Sequence, residues 1–587
     1  MLTKEVEERY REWLEASWCD SDTKAELAGL QDEREIEDRF YCDLEFGTGG
    51  MRGQLGAGTN RMNIYLIRRL TQALADVIAD HGQAAKERGV AISYDSRRFS
   101  WEFALESALV LAANGIKAYL FKELRPTPVL SFAVRAKGAI AGIMITASHN
   151  PKEYNGYKVY WEDGGQLPPE HADKIVAKMT ENGSWQVAVM DKEAALQAGL
   201  LEMLGKEIDD EYVGRVREQM MNGQMSAARG SHLNIVYTPL HGTGRVLVER
   251  ILAENGFTEL HEVTEQAVPD PEFSTVSVPN PEDDGAWVLA EKLADKIEAE
   301  EDCEVDLLLA TDPDADRLGV CCRLPGGGYQ RLTGNQVGVL LAYYIIKQEK
   351  EMGTLPIDGM IIKSVVSTAL ANKVITGLGV TVKEVPVGFK YIGEQIKLME
   401  ESGRGTFLLG FEESLGYLKG TYARDKDAVL AAALVAEAAL YYKELLDKSL
   451  LEVLDIICDK FGHFLDTQVA CTLSGIDGRE QIKEIMQILR DDNRQEIGGL
   501  AVVRREFYDT GEKLEGGELK PLDFPHVDML GITFADGGFI KIRPSGTEPK
   551  IRFYFCIGGE DNDEAEDNLQ AVKKDFFKPI SQYVKSK

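Results

Sequence analysis

The sequence predicts a multidomain α/β protein that ends in a smaller α+β domain. Three observations carry this reading. At 587 residues the chain is well beyond the length at which a single hydrophobic core stops growing. Up to about residue 460, helix-period segments alternate with short apolar runs of strand character, the mark of layered βα units. From about Phe461 that alternation gives way to strands with few helices. Four domains are placed on the chain, at 1–205, 206–325, 326–455 and 456–587.

Residues 1 to about 45 have the periodicity of amphipathic helix, and Phe46–Gly53, with its glycines and Arg52, breaks it. A glycine-rich loop with an arginine can approach an anion closely, but its spacing and flanks do not match a dinucleotide fingerprint. Helix is expected over Ile64–Asp80, strand over Val90–Tyr94, helix over Trp101–Asn114 and strand over Lys117–Phe121. The apolar run Ala139–Ile145 reads as a buried strand whose end delivers Ser148 into a loop. Further strands are expected near Asn234–Tyr237, Val305–Ala310, Gly359–Ile362 and Thr406–Leu409. Each precedes a polar or glycine-bearing loop, the place where α/β sheets bind ligands. Candidate boundaries are the polar stretch Leu204–Asp210, the Gly326–Gly328 turn and the segment after a long helix from about Asp427. The last domain should hold a helix at Glu480–Asp491, a charged loop at Thr510–Lys520 and a final helix at Ala565–Tyr583.

Composition narrows the function classes. With 44% hydrophobic and 28% charged residues the chain is an ordinary globular mixture, not a disordered one. A net charge of -31 disfavours nucleic acid or an anionic membrane as partner, while a small anionic substrate stays open if basic residues gather locally. The eight cysteines are dispersed without a C-x-x-C pair and read as reduced thiols. Met1–Trp18 lacks the apolar stretch of a secretion signal, and the apolar segment Ala428–Tyr442 is interrupted by Glu437. It also falls short of the roughly 20 residues a membrane span needs, so a soluble, cytoplasmic protein is expected.

Four segments carry chemistry. In Thr146-Ala147-Ser148-His149-Asn150-Pro151 a serine stands beside an imidazole, and Lys158 follows in the same region. A serine in a loop commonly forms a turn; a proton acceptor and a positive charge nearby make it a candidate nucleophile. A protease-type use of Ser148 and His149 lacks the G-x-S-x-G elbow. Asp312-Pro313-Asp314-Ala315-Asp316-Arg317 places three carboxylates at alternate positions after a strand, where they can converge on a hard cation, with magnesium favoured. An EF-hand is excluded, because the sixth and twelfth positions are Arg317 and Arg323; a solvated acidic loop is the plain alternative. Gly410-Phe411-Glu412-Glu413-Ser414 sets acids and a hydroxyl at a strand end, suited to sugar hydroxyls, with Gly388 and Lys390, and Lys426, able to contribute nearby. Arg543-Pro544-Ser545-Gly546-Thr547-Glu548-Pro549-Lys550-Ile551-Arg552 concentrates cations and hydroxyls into what its composition makes a phosphate cradle.

In this order and at these separations, T-A-S-H-N-P, D-P-D-A-D-R, G-F-E-E-S and R-P-S-G-T-E-P resemble the α-D-phosphohexomutase superfamily over essentially the whole chain. The resemblance implies three related α/β domains and a C-terminal domain of TATA-box-binding-protein-like fold around a central cleft. It implies that Ser148 carries a phosphoryl group, and that Mg2+ is held by Asp312, Asp314, Asp316 and the group on Ser148, with Arg317 in support. Arg52, His149 and Lys158 would belong to the reacting end. Glu412 and Ser414 would hold the sugar, and Arg543, Ser545, Gly546 and Thr547 the non-reacting phosphate, with Gly388, Lys390, Lys426 and Arg552 as further substrate contacts. The reaction implied moves a phosphoryl group between serine and a sugar monophosphate through a bisphosphate that must turn around.

Phe46–Gly53 and Tyr94-Asp95-Ser96-Arg97 resemble the branch that holds phosphoglucomutases and phosphopentomutases, and Glu412-Glu413-Ser414 is similar to the glucomutase form. The expected substrates are therefore glucose 1-phosphate and glucose 6-phosphate, with glucose 1,6-bisphosphate as intermediate and activator. Phosphopentose and phosphomannose are the alternative substrates. A phosphosugar-binding protein without catalysis, or a phosphatase using an aspartate of residues 312–316, are the alternatives of other classes. The first predicts loss of Ser148 or the aspartates, and all of them are present.

Overall fold

The computed structural model describes residues 2–47, 49–301, 303–473, 478–545 and 550–586. By packing, the chain divides into two units. One comprises Met1–Arg331, Gly393–Ser402 and Gly416–Tyr441; the other comprises Leu332–Ile392, Gly403–Leu415 and Tyr442–Lys587.

The first unit contains two sheets. Strands β1 (Met51–Gln54), β2 (Val90–Tyr94), β3 (Ala118–Phe121), β4 (Ala141–Ile145), β5 (Tyr154–Trp161) and β6 (Leu201–Leu204) form a six-stranded sheet in the order β1-β5-β4-β2-β3-β6. Its β4, β2, β3 and β6 run parallel, while at one edge β5 pairs antiparallel with β4 and β1 antiparallel with β5. β2, β3 and β4 are buried at every position, as parallel strands covered on both faces must be, which is why they read as largely apolar runs; the one serine, Ser93 in β2, donates to Arg125 O at 2.9 Å. Helices Ile64–Asp80 and Ser100–Ala113 pack over this sheet and share its core. The second sheet is built from β7 (Ile235–Thr238), β8 (Leu260–Glu262), β9 (Leu307–Thr311), β10 (Leu318–Arg323) and β11 (Tyr329–Leu332), in the order β11-β10-β9-β7-β8. The Gly326–Gly328 turn joins two neighbouring strands of this sheet, with Leu324 N–H donating to Gly328 O at 2.9 Å.

In the second unit β12 (Gly359–Ser364), β13 (Thr381–Val385) and β14 (Thr406–Glu412) run parallel in the order β13-β12-β14. Among the described residues the C-terminal part is an eight-stranded antiparallel sheet, with helices Gly478–Asp491 and Asn562–Phe576 sharing its core. The expected multidomain α/β architecture with an α+β end is thus found.

Some expectations are corrected. The single amphipathic segment at the N-terminus is three helices, Lys4–Glu15, Ser21–Ala28 and Glu33–Phe40; Asp20 and Asp32 cap the second and third by accepting from Thr23 N–H and Arg34 N–H. The Phe46–Gly53 loop ends inside β1, since Met51–Gly53 pair with Tyr157–Asn155. The charged loop expected at Thr510–Lys520 contains a hairpin, Glu512–Glu515 against Glu518–Pro521, turning at Gly516 and Gly517, both at positive φ. The last helix divides at Phe577 into Asn562–Phe576 and Lys578–Ser586. Glu437, within the apolar helix Ala428–Leu446, is fully buried and accepts from the Met221 and Asn222 N–H groups. Among the described residues no helix is long and apolar enough to cross a membrane, and all eight cysteines are free.

Candidate active site

The two sheets of the first unit bring three strand ends and the middle of a fourth strand together. Ser148 follows the C-terminal end of β4, Asp312 that of β9 and Asp95 that of β2, while Lys158 lies within β5. Ligands collect at such strand ends.

Ser148 is 3% exposed and sits at φ 52, left-handed for a residue with a side chain. Several groups hold it there. Its N–H donates to Thr146 Oγ1 at 2.7 Å, and Thr146 Oγ1 donates in turn to Asp95 Oδ2 at 2.6 Å. Arg97 Nη2 donates to the Ser148 and Asn150 carbonyls and Nη1 to those of Pro151 and Tyr154. Asp95 and Arg97 are both buried, 3.3 Å apart. β5 can lie this close to the loop because residue 156 is glycine: a Cβ there would meet Thr146 O at 2.5 Å and Met51 O at 2.8 Å.

The serine hydroxyl points at the acidic loop, with Oγ donating to Asp312 Oδ2 at 2.8 Å. His149 Nδ1 lies 3.2 Å from Ser148 Oγ. Burial, with the charges of Arg317, Arg52 and Lys158 adding, pushes the His149 pKa down to about 2, so the ring is neutral at working pH. Arg52 Nη1 donates to Asn150 Oδ1 at 2.8 Å.

Asp312, Asp314 and Asp316 are buried, each offering an oxygen within 4.8 Å of the others. Burial and the two neighbouring carboxylates push Asp312 well up. Burial acts the same way on Asp314, but the ammonium of Lys158 outweighs it and holds that carboxyl below its ordinary value. Lys158 Nζ donates to Asp314 Oδ2 at 2.7 Å and lies 3.6 Å from Asp316 Oδ2, which Lys426 Nζ approaches to 3.0 Å. Thr127 Oγ1 donates to Asp314 Oδ2 at 3.0 Å. Asp312 Oδ1 accepts the N–H groups of Asp316 and Arg317. Asp314 Oδ1 and Asp316 Oδ1 are buried without a hydrogen-bond partner. Two orphaned carboxylate oxygens beside a third acid fit a hard divalent cation, which would satisfy them and relieve the mutual repulsion. Arg317 stands at the edge of the cluster, with Nη1 3.5 Å from Glu282.

The structure thus brings Arg52, Ser148, His149, Lys158, Asp312, Asp314, Asp316 and Arg317 together as the sequence suggested, and it adds Lys426, which was expected among the sugar contacts, to the aspartates. In the second unit Glu412 is buried at the end of β14 and accepts from Ser414 Oγ at 3.1 Å. Gly388 takes φ 119, and Lys390 Nζ stands 4.8 Å from the Tyr391 ring centre. Arg543 and Arg552 are direct cross-strand partners, and Ser545 N–H donates to Lys550 O at 2.7 Å. Gly546 and Thr547 lie outside the described residues.

Sequence reasoning missed the supports: Asp95 and Arg97 behind the serine loop, and Asp425 behind Lys426. The available signal was an Asp-x-Arg directly after the buried strand Val90–Tyr94, and a lysine flanked by aspartates at 425–427.

Family models match along the chain: phosphoglucomutase/phosphomannomutase alpha/beta/alpha domain I at residues 43–185, domain II at 210–326, domain III at 333–460 and the C-terminal domain at 495–573. A phosphoglucomutase of Staphylococcus saprophyticus is 36% identical over 92% of this chain and 95% of its own. Among solved structures, a putative phosphomannomutase from Thermus thermophilus superposes with a TM-score of 0.64 at 23% identity, covering 91% of this chain and 99% of its own. The phosphoglucomutase parafusin from Paramecium, in an open form, does so with a TM-score of 0.66 at 17% identity, covering 91% and 94%. These two likenesses concern the fold; the sequence relationship goes further, and the chain belongs to the phosphoglucomutase/phosphomannomutase family.

Proposed function

We propose that this protein interconverts glucose 1-phosphate and glucose 6-phosphate, using Ser148 as phosphoryl carrier and glucose 1,6-bisphosphate as the intermediate. The observation that carries the reading is the buried Ser148 hydroxyl, aimed at Asp312 from 2.8 Å within a cluster of three aspartates. The family relationship supports the phosphoglucomutase activity.

Asp312, Asp314 and Asp316 would hold Mg2+ together with the group on Ser148. When bound, the ion supplies electrostatic stabilisation of charge on the transferring phosphoryl group. The chain's own part is positioning. The Arg97 and Asp95 network fixes the serine loop before substrate arrives, so that attack needs little further ordering. Lys158 and Lys426 offset the acids and leave the site able to accept a phosphate. In the free serine, the hydroxyl donates to Asp312 Oδ2, which aims Oγ into the acidic loop to accept the phosphoryl group back from the bisphosphate, and over that step its proton passes to the sugar oxygen that loses the phosphoryl group. His149, uncharged, lies within reach of Ser148 Oγ, and Arg52 and Arg317 supply fixed positive charge to the reacting end. Glu412 and Ser414 are assigned to the sugar hydroxyls, with Gly388 and Lys390 near them. Arg543, Ser545, Gly546, Thr547 and Arg552 are assigned to the phosphate that is not reacting. A cytoplasmic location accords with the acidic chain, in which no described helix is long and apolar enough to cross a membrane.

The test is turnover of purified protein with Mg2+ and glucose 1,6-bisphosphate. Rapid conversion of glucose 1-phosphate with slower conversion of ribose 1-phosphate is expected. The reverse order would transfer the assignment to pentose, and inorganic phosphate as main product would replace the mutase by a phosphatase.

A further inference from the structure

Lys158 and Tyr160 stand two residues apart on β5 and therefore face the same side of the sheet. Lys158 meets the aspartates directly. Tyr160, fully buried, reaches them through an intermediary: its hydroxyl donates to Asp425 Oδ2 at 2.7 Å, where Gln166 Nε2 also donates at 2.9 Å. The other oxygen, Asp425 Oδ1, accepts from Lys426 Nζ at 3.1 Å and from the Lys426 N–H at 2.9 Å. Asp425 is itself completely buried, and Lys426 Nζ spans from it to Asp316 Oδ2 at 3.0 Å.

The arrangement is selective at the level of single oxygens. The lysines engage Oδ2 of Asp314 and Asp316, while Oδ1 of both carboxylates is buried without a partner. An ammonium held from one side only would settle deeper onto Asp316 and compete with a cation for the same carboxylate. A second carboxylate behind the lysine opposes that movement. We infer that Asp425, braced by Tyr160 and Gln166, is a positioning residue that holds Lys426 on Oδ2 of Asp316 and so keeps Oδ1 open for a divalent cation. This rests on the metal reading of the aspartate cluster given above.

The experiment measures Mn2+ affinity of the full chain without sugar, by the electron paramagnetic resonance of the free ion. Asp425→Asn keeps the size of the side chain and an oxygen for Tyr160, but removes the charge that holds the lysine. It should weaken Mn2+ binding about tenfold, as loss of a group behind a metal ligand does. Tyr160→Phe should weaken it in the same direction by less than about tenfold, because it removes one donor from Asp425 and leaves the charge. In a Lys426→Met background Asp425→Asn should change affinity less than about twofold, because a residue acting through Lys426 has nothing left to act on. Equal losses with and without Lys426, or no loss in either, overturn the inference. Should Asp425→Asn not fold, Tyr160→Phe alone and combined with Lys426→Met makes the same comparison. If Asp316→Asn leaves Mn2+ binding unchanged, the metal reading fails and takes this inference with it; binding lost in Asp316→Asn but kept in Asp425→Asn fails this inference alone.

Discussion

Replacing Arg97 with methionine should loosen the serine loop without dissolving the sheet that carries it. The arginine side chain is completely buried and donates to the carbonyls of Ser148, Asn150, Pro151 and Tyr154, from 2.5 Å at Asn150 to 3.0 Å at Tyr154. Methionine fills much of that volume and donates nothing. Asn150, Pro151 and Tyr154 are partly exposed, so water can serve their carbonyls, but Ser148 is buried, and an unserved buried carbonyl costs about 1–3 kcal/mol. Asp95 also loses its ion pair, and stranding one partner of a buried pair costs about 3–5 kcal/mol. That second cost is capped, because burial already raises the Asp95 pKa against the pull of Arg97, and without the arginine the carboxyl takes up a proton. A local loss of about 4 kcal/mol results, a factor on the order of a thousand in the opening equilibrium. Native-state hydrogen exchange reads it directly. The amides of Thr146, Ser148 and Asn150, bonded to Gly156 O, Thr146 Oγ1 and Ala147 O, should exchange about a thousandfold faster, while those of helix Ile64–Asp80 change little. Turnover should fall about a hundredfold through misplacement of the hydroxyl. Wild-type exchange in the loop together with turnover within about threefold of wild type would refute the reasoning.

Wild-type protein should carry one phosphate by intact mass; Ser148→Ala should lose both that phosphate and all turnover, while melting close to wild type, because the side chain it removes makes hydrogen bonds only to the site. Arg552→Met should raise KM for the sugar phosphate about tenfold with a smaller change in kcat, as expected for a group that holds the phosphate equally before and during reaction; a pure kcat effect would move it to the reacting end. Asp466→Asn should stabilise the second unit at pH 7.5 by roughly 1–2 kcal/mol and give no gain near pH 4. Burial raises the Asp466 carboxyl to about 6, against the lowering effect of Cys556, Thr368, Asn335 and Lys363, and its Oδ1 has no partner. The unfolded chain releases this proton near its ordinary value while the folded one keeps it to about 6, so the penalty accrues as pH rises between the two and stays constant above. A melting temperature for Asp466→Asn that matches wild type at both pH values would show that the carboxyl is not burdened.

What the sequence disclosed and what it hid follow from how burial acts on each kind of residue. Strands covered on both faces cannot hide: Val90–Tyr94 and Ala141–Ile145 are apolar because every position is buried, and their polar ends, Asp95 and Ser148, stand out against them. The hairpin at Glu512–Pro521 did hide, because no position in either strand is fully buried and its charges mimic a loop; only the Gly516-Gly517 pair marked the turn. Buried charges were the harder case. Asp425 and Arg97 are as charged in sequence as any surface residue, and only the closing of distant segments shows that one is buried under Tyr160 and Gln166 and the other grips a loop. Arg543 and Arg552 illustrate the same limit in reverse. As a cluster of cations they were legible, yet nothing in their spacing says that the strands Phe539–Pro544 and Lys550–Gly559 set them directly opposite one another. Like charges so placed destabilise a sheet. An anion bound between them reverses that sign, which supports giving this end of the second unit to the phosphate that does not react.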